Sequence, residues 1–364
     1  MNNLSLRKIV MMLFLLFFTR VSFAQDPHFS QFSASPMTLN PALTGMMPGN
    51  MRFASNFRSQ WGTVSNAFYT GTAAFDMKYT PFNYDNEYQD VFGIGLMAMM
   101  DQSNNGALKA NYITGSIAYN KLLQRDGNWY LGGGFQYTIT HKALDYSKLT
   151  FGQQLTPYGY DINIPNGEPK GGFDLYYTDM HAGIMLSGKS DGEDPEYTWC
   201  LGSSLYHLSR PNESLTGQDN RVPQRFTIHG NYTHLTDYNG NITFSGLYMN
   251  SYKEEYMVGA VFSKKIKESY SDGNTDIGLG ENLELGVWYR LRDAIIPYVG
   301  LQLEGWKFGL SYDVNTSGLS SASYYQGGVE FSLIYNFMVD PNLRIASKAL
   351  CPRPHKSHLK WYGY

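Results

Sequence analysis

Charge is scarce in this chain. Of 364 residues, 28 are Lys or Arg and 31 are Asp or Glu, 16% together, where an ordinary soluble domain carries about 25%. A formal net charge of -3 lacks the basic footprint of a nucleic-acid binder, so nucleic acid is excluded as a partner. The two cysteines, Cys200 and Cys351, are too few for a disulfide scaffold. One falls in a strand pattern and the other near the C-terminus, so they read as separate thiols rather than a bridge. No Gly-x-Ser-x-Gly elbow, phosphate loop or dinucleotide Gly-x-Gly-x-x-Gly is present, so neither catalysis nor a bound cofactor is expected. Aromatic residues, by contrast, are abundant: Tyr 29, Phe 21 and Trp 6 make 15% of the chain, and Gly adds 37. So many rings with so little net charge exclude intrinsic disorder.

The N-terminus reads as a targeting segment. Arg7 and Lys8 precede an apolar run from Ile9 to Phe18, and Ser22-Phe23-Ala24 places small residues where a signal peptidase cuts. Residues 1–24 are therefore a predicted secretory signal peptide, with the mature chain starting at Gln25. The run is too short for a membrane helix, which needs roughly 20 apolar residues. No later segment comes close either, so any membrane location must be reached by strands.

Alternation with period two dominates the body. From Asn128 to Ile139, Trp129, Leu131, Phe135, Tyr137 and Ile139 share one face, while Gly132, Gly134, Gln136 and Thr138 share the other. Met51 to Trp61 sets Phe53 and Phe57 against Arg52, Asn56 and Arg58. Ala67 to Tyr79 sets Phe75 and Met77 against Asp76 and Lys78. Similar runs follow at Val91 to Gln102, Leu108 to Leu122, Tyr176 to Leu186, Thr198 to Leu208, Arg225 to Thr236, Ile242 to Asn250, Tyr256 to Lys264, Leu283 to Arg290, Ile295 to Leu303, Trp306 to Val314 and Gly327 to Phe337. That is about fourteen strands.

Greasy outer faces, charged inner faces and runs near the 9 to 11 residues of a tilted spanning strand predict an all-β, transmembrane antiparallel up-and-down β-barrel over 51–337, set in the outer membrane. An even count leaves both termini in the periplasm. The longest connectors, Thr140 to Leu175, Ser209 to Gln224 and Asn315 to Gln326, then fall outside. Trp61, Tyr79, Trp129, Tyr248, Tyr289, Trp306 and Phe337 sit near strand ends, as the interfacial girdles of such barrels require.

Candidate sites are few. His181, His207 and His229 fall in strand patterns and read as polar lumen residues. Asp272, Asn274 and Asp276 mimic a calcium loop, but Ile277 replaces the turn Gly and Leu283 the final Glu, so no metal is assigned. His355 and His358 read as features of a basic tail. Ring-rich connectors offer Tyr158, Tyr160 and Phe173 as partner anchors. Two flanks break the rhythm. Residues 25–50, with Pro27, Pro36, Pro41 and Pro48, form an irregular periplasmic strap, and 338–364 form a periplasmic tail with Lys356, Lys360, Trp361 and Tyr364 that is either disordered when unbound or docks on a partner or on the cell wall. Either the strap or the connector from Thr140 to Leu175 could plug the lumen.

These flanks also carry a resemblance. Gln25-Asp26-Pro27-His28-Phe29-Ser30-Gln31-Phe32, with Leu39-Asn40-Pro41-Ala42-Leu43-Thr44-Gly45, resembles the mature N-terminus of the PorP/SprF family of the Bacteroidetes type IX secretion system. Arg58-Ser59-Gln60-Trp61, Ser311-Tyr312-Asp313-Val314-Asn315 and Gly327-Gly328-Val329-Glu330-Phe331 resemble later blocks. The resemblance implies an outer-membrane barrel that binds, anchors or helps export a secreted surface protein, such as a gliding adhesin, through its C-terminal domain. Other secretion components and outer-membrane lipid would be its further partners. Family tails end at Cys-Pro-Arg-Phe, which points to Cys351 and Arg353 as partner contacts; here Pro354 follows and the chain continues to Tyr364. The alternative reading is a porin-like channel for small solutes.

Overall fold

The computed structural model describes residues 26–337, apart from connector pieces at 63–66, 81–89, 124–128, 162, 166, 168–171, 192–195, 216, 237–239, 268–279, 319 and 322. The predicted signal peptide, the tail with Cys351 and Arg353, and the Asp272–Asp276 segment lie outside the described residues. Fourteen antiparallel strands close into one barrel. They are β1 Met51–Gln60, β2 Phe68–Tyr79, β3 Val91–Ser103, β4 Leu108–Leu122, β5 Trp129–Asp145, β6 Gly172–Lys189, β7 Tyr197–Tyr206, β8 Arg225–Thr236, β9 Gly240–Asn250, β10 Glu254–Lys267, β11 Glu281–Arg290, β12 Ala294–Leu303, β13 Trp306–Asn315 and β14 Gln326–Phe337. Each strand pairs with its neighbours in sequence, and β1 closes on β14 from Met51↔Phe337 to Gln60↔Gly328. Closure removes every free edge within the hydrocarbon layer, where an unpaired backbone amide costs several kcal/mol.

The two faces follow from side-chain chemistry. Along β5, Phe135, Tyr137 and Ile139 are exposed on the outer wall, whereas Gln136, Thr138 and Thr140 are buried inside. On β1 and β2, Arg52, Arg58, Asp76 and Lys78 point inward and are buried, as the alternation predicted. Rings gather at both ends of the wall. Trp61 with Phe68 and Tyr248 with Tyr256 lie at the end carrying the long loops, and Trp129 with Trp199 and Trp306 with Tyr335 at the end where the chain enters and leaves. Two such belts mark the two interfaces of a membrane.

Strand extents agree with the alternation except at the longest connector. β5 and β6 remain paired out to Asp145↔Gly172, so part of Thr140 to Leu175 is strand. Above the membrane neither face must be apolar, and His141, Lys142 and Asp174 interrupt the pattern without interrupting the ladder.

The irregular strap, residues 26–50, runs down the inside of the barrel. The sequence reading set it in the periplasm and offered it as one of two possible plugs; it lies inside because its backbone groups bond the inner wall. It consists of three short helical pieces: a 3-10 turn at Phe32–Ala34, α1 at Pro36–Leu39 and a 3-10 turn at Pro41–Leu43. Pro36 and Pro41 open two of these pieces, where a missing N–H costs nothing. Phe32, Leu39, Leu43 and Met46 join Val91, Tyr130, Met185, Leu247, Trp288 and Ile296 of the wall in one apolar core. The strap thus packs the part of the lumen that it crosses.

Candidate functional site

The strap is bonded to the wall at successive levels. Toward the loop end, the Ser30 and Gln31 N–H groups donate to the two oxygens of Glu330 at 2.7 and 2.9 Å. Arg58 donates to Asp313 at 2.7 Å and to Glu330 at 3.2 Å, and Arg290 donates to Asp313 at 3.0 Å. Both guanidiniums also reach the Ser30 hydroxyl at 2.6 Å, which in turn donates to Asp313 at 2.8 Å. Arg290 also reaches Asp293 at 2.9 Å and Glu255 at 3.4 Å, so two guanidiniums face four carboxylates around one serine. Arg58 and Glu330 are direct cross-strand partners, a juxtaposition made only by the closing pair β1–β14.

Below this cluster the strap's own peptide groups find side-chain partners. Tyr206 and Gln136 both donate to the Met37 carbonyl, at 2.9 and 3.0 Å. Asn40 donates to the Ile184 carbonyl at 2.9 Å and accepts the Ala42 N–H at 2.9 Å. At the terminal end Asp76 accepts a two-pronged contact from Arg52 at 2.9 and 2.7 Å and the Gly45 N–H at 2.8 Å. Lys78 donates to the Met47 carbonyl at 2.9 Å. Irregular backbone survives in this interior because such donors and acceptors replace the water it would otherwise need.

The wall is shaped to the strap. A Cβ on Gly93 would lie 2.1 Å from the Thr44 carbonyl oxygen, and one on Gly134 would lie 2.3 Å from the Pro41 carbonyl carbon. Both positions require glycine so that strap backbone can approach strand backbone. The remaining space divides into a cavity of about 650 Å³ toward the loop end and one of about 190 Å³ toward the terminal end.

Asp26 meets the wall at the loop-end cavity. His207, just beyond β7, stands between Asp26, 2.8 Å from its Nε2, and Asp179, which contacts its Nδ1. Arg225 adds a contact to Asp26 at 3.4 Å. Burial pulls the His207 pKa down, but the two carboxylates outweigh it and raise it to about 9. Burial also raises that of Asp26, yet His207 and Arg225 bring it down to about 2. At neutral pH the trio is an imidazolium between two carboxylates.

Asp179, His181 and His207 each offer a ligand atom within 4.8 Å of the others. Their donors are already engaged, however. His181 accepts the His207 N–H at 3.1 Å through Nδ1 and bonds Thr138 at 3.0 Å through Nε2. Both His207 nitrogens face carboxylates. Ser209 donates to Asp179 at 2.6 Å, and no imidazole nitrogen in this group is left to take its proton. The chemistry of the arrangement is that of a latch holding the start of the strap.

Tyr158 is fully exposed and Tyr160 largely so, at a two-residue hairpin in which Leu155–Thr156 pairs with Gly159–Tyr160. Phe173 belongs to β6, opposite Leu144, and packs its ring on Tyr146 at 5.6 Å. His181 and His229 do line the lumen, while His207 is the latch. The sequence reading missed Ser30, Asn40, Asp313 and Glu330 as contact residues. Inward alternation on β13 and β14, combined with closure of β14 on β1, would have placed Asp313 and Glu330 beside Arg58.

Residues 21–335 match the family model described as type IX secretion system membrane protein PorP/SprF. The chain belongs to this family. As a PorP/SprF protein it is a type IX secretion membrane β-barrel of the outer membrane. No individual curated protein matches it. Among solved structures, a FadL homologue of Pseudomonas aeruginosa aligns over 82% of this chain and 93% of its own at 12% identity, TM-score 0.41. The CymD monoaromatic hydrocarbon channel aligns over 84% and 93% at 10% identity, TM-score 0.42. The translocator domain of the autotransporter NalP from Neisseria meningitidis aligns over 84% and 95% at 10% identity, TM-score 0.32.

Proposed function

We propose that this PorP/SprF barrel holds a secreted surface protein, through that protein's C-terminal domain, at the loop end of the barrel, and that it acts by binding and without catalysis. The observation that supports this reading is a lumen crossed by the strap. A strap seated against glycines and bonded to opposed buried charges obstructs the interior, whereas the loop end presents uncovered rings at Tyr158, Tyr160, Tyr176, Tyr324 and Tyr325. Tyrosine supplies large, rigid contact area at low entropic cost, which suits a docking surface. With the termini in the periplasm, these loops face the outside.

The test is surface retention. Replacing Tyr158, Tyr160 and Phe173 together by Ala should release the held protein into the medium, since truncating a hot-spot ring costs roughly 2 kcal/mol or more. The barrel should still shift its gel position on boiling, because Tyr158 and Tyr160 lie on a loop hairpin and Phe173 near the upper end of β6, away from the strap's contacts. Unchanged retention in the triple variant, alongside solute uptake that responds to Arg58→Ala, would favour the channel instead.

A further inference from the structure

The rim of the barrel is not level. β6 stays paired with β5 as far as Gly172, and β4 accompanies β5 to Leu144. On its other side β6 meets β7 only from Ala182 onward. One bond from the Leu208 N–H to the Met180 carbonyl continues the contact, and the Met180 N–H is held by the Asp179 carboxylate at 2.7 Å. Above Met180, residues 172–178 form an edge strand roughly 20 Å long at ~3.3 Å per residue.

Its polarity can be assigned. The Met180 carbonyl points toward the β7 side, so alternation along an antiparallel strand turns the N–H and C=O groups of Asp174, Tyr176 and Thr178 the same way. None of these has a backbone partner on that side among the described residues. The loop after β7 turns inward instead of covering them: Ser209 bonds Asp179, Glu213 reaches Lys142 at 2.8 Å, and Val222 is buried. Natural edges are blunted by charged side chains, above all Lys, by Pro or by bulges; 172–178 contains no Lys or Pro, and its one charge, Asp174, is bonded to His141. Tyr176, 69% exposed, is held by stacking on His141 at 4.4 Å, which in turn bonds Asp174.

We propose that this edge is an interaction surface that takes up an extended β-strand of the secreted protein's C-terminal domain, adding a strand beside β6. This deepens the cargo-holding reading and rests on it. A second copy of the barrel does not fit the edge. Two copies in one membrane have both β6 strands descending, whereas pairing an edge with itself by a two-fold axis requires strands that run opposite ways. The occupant is therefore a strand from outside the membrane. It carries apolar side chains beside Leu175 and Tyr177 and no carboxylate opposite Asp174, where like charges would repel.

Proline separates this edge from everything else in the strand. Tyr176→Pro with Thr178→Pro removes two donors that face the edge and leaves the β5 ladder bonds in place. The control is Tyr176→Val with Thr178→Val, which removes the same side chains and keeps both donors. The probe is the set of surface proteins that moves to the medium when the barrel is deleted. The double Pro variant should release that set, with retention lowered roughly tenfold or more for two lost hydrogen bonds, while the Val variant retains it. A photoreactive benzoyl-phenylalanine at 178 on intact cells should cross-link to a member of the same set. Retention by a folded double Pro variant, or a cross-link only between two barrels, overturns the edge while the cargo reading stands. If deletion of the barrel releases no surface protein, both fall.

Discussion

At the residue scale, His207 converts three nearby charges into a clasp on the start of the strap. Its pKa, near 9 in the folded protein, exceeds its ordinary 6.5, so its contribution is complete below about pH 6.5 and is lost as pH rises through 9. Asp26, near 2 against 3.8, contributes fully above about pH 4 and loses its contribution only as pH falls through 2. The clasp is thus complete from about pH 4 to 6.5, and a shift of this size corresponds to about 3 kcal/mol at most. Arg225 and His181 also face it and keep their places in any variant at 207. The temperature at which the folded band is lost on a gel should therefore fall between pH 7 and pH 9.5. In His207→Gln it should be lower at pH 7 and nearly flat across that range. A variant with the slope of the parent would show that other groups carry the dependence.

At the element scale, the strands were legible, and the strap's location only as one of two candidate plugs. Period-two alternation is imposed by lipid on one side and a polar interior on the other, so β4 and β8 have the bounds read from sequence. The strap answers to no such rule. Its backbone groups meet partners at separations as different as 31 residues, as with Gly45 and Asp76, and 300, as with Ser30 and Glu330, and nothing in Ser30 or Asn40 announces them. The candidate anchors were legible as exposed rings at Tyr158 and Tyr160, whereas Phe173 was taken for a loop because the ladder outlasts the apolar pattern. The glycines of the wall were visible but carried two meanings. Gly134 faces the strap, while Gly115 faces lipid with nothing near a built Cβ. Gly134→Val should displace the strap and lower the unfolding temperature, at a cost of about 1–3 kcal/mol or more. Gly115→Val should be neutral or mildly stabilising, since valine suits an exposed strand position. Equal effects at the two sites would mean that the wall does not grip the strap.

At the scale of the whole molecule, strand number explains why a strap is needed. Eight-stranded barrels are filled by their own side chains, whereas barrels of 16 to 18 strands leave a water channel. Fourteen strands enclose more space than the inward side chains fill, and the strap occupies it. Its bonds to Asp313 and Glu330 engage the last two strands, so the plug is completed only when β14 meets β1. The plug and the closed wall are then one cooperative unit, and breaking the charge cluster would cost about 3–5 kcal/mol by leaving carboxylates unpaired. This yields a measurement on the purified barrel in a planar lipid bilayer. The intact protein should show no steady pore, whereas deletion of residues 26–47 should open a conducting lumen lined by Arg52, Arg58, Asp76, Asp313 and Glu330. Where that deletion prevents folding, Ser30→Glu serves instead, because it adds a carboxylate against Asp313 and Glu330 and should give intermittent openings in a barrel that still shifts on boiling. Steady porin-like conductance from the intact protein would restore the channel reading, and a silent, folded deletion variant would show that the loops, not the strap, close the lumen.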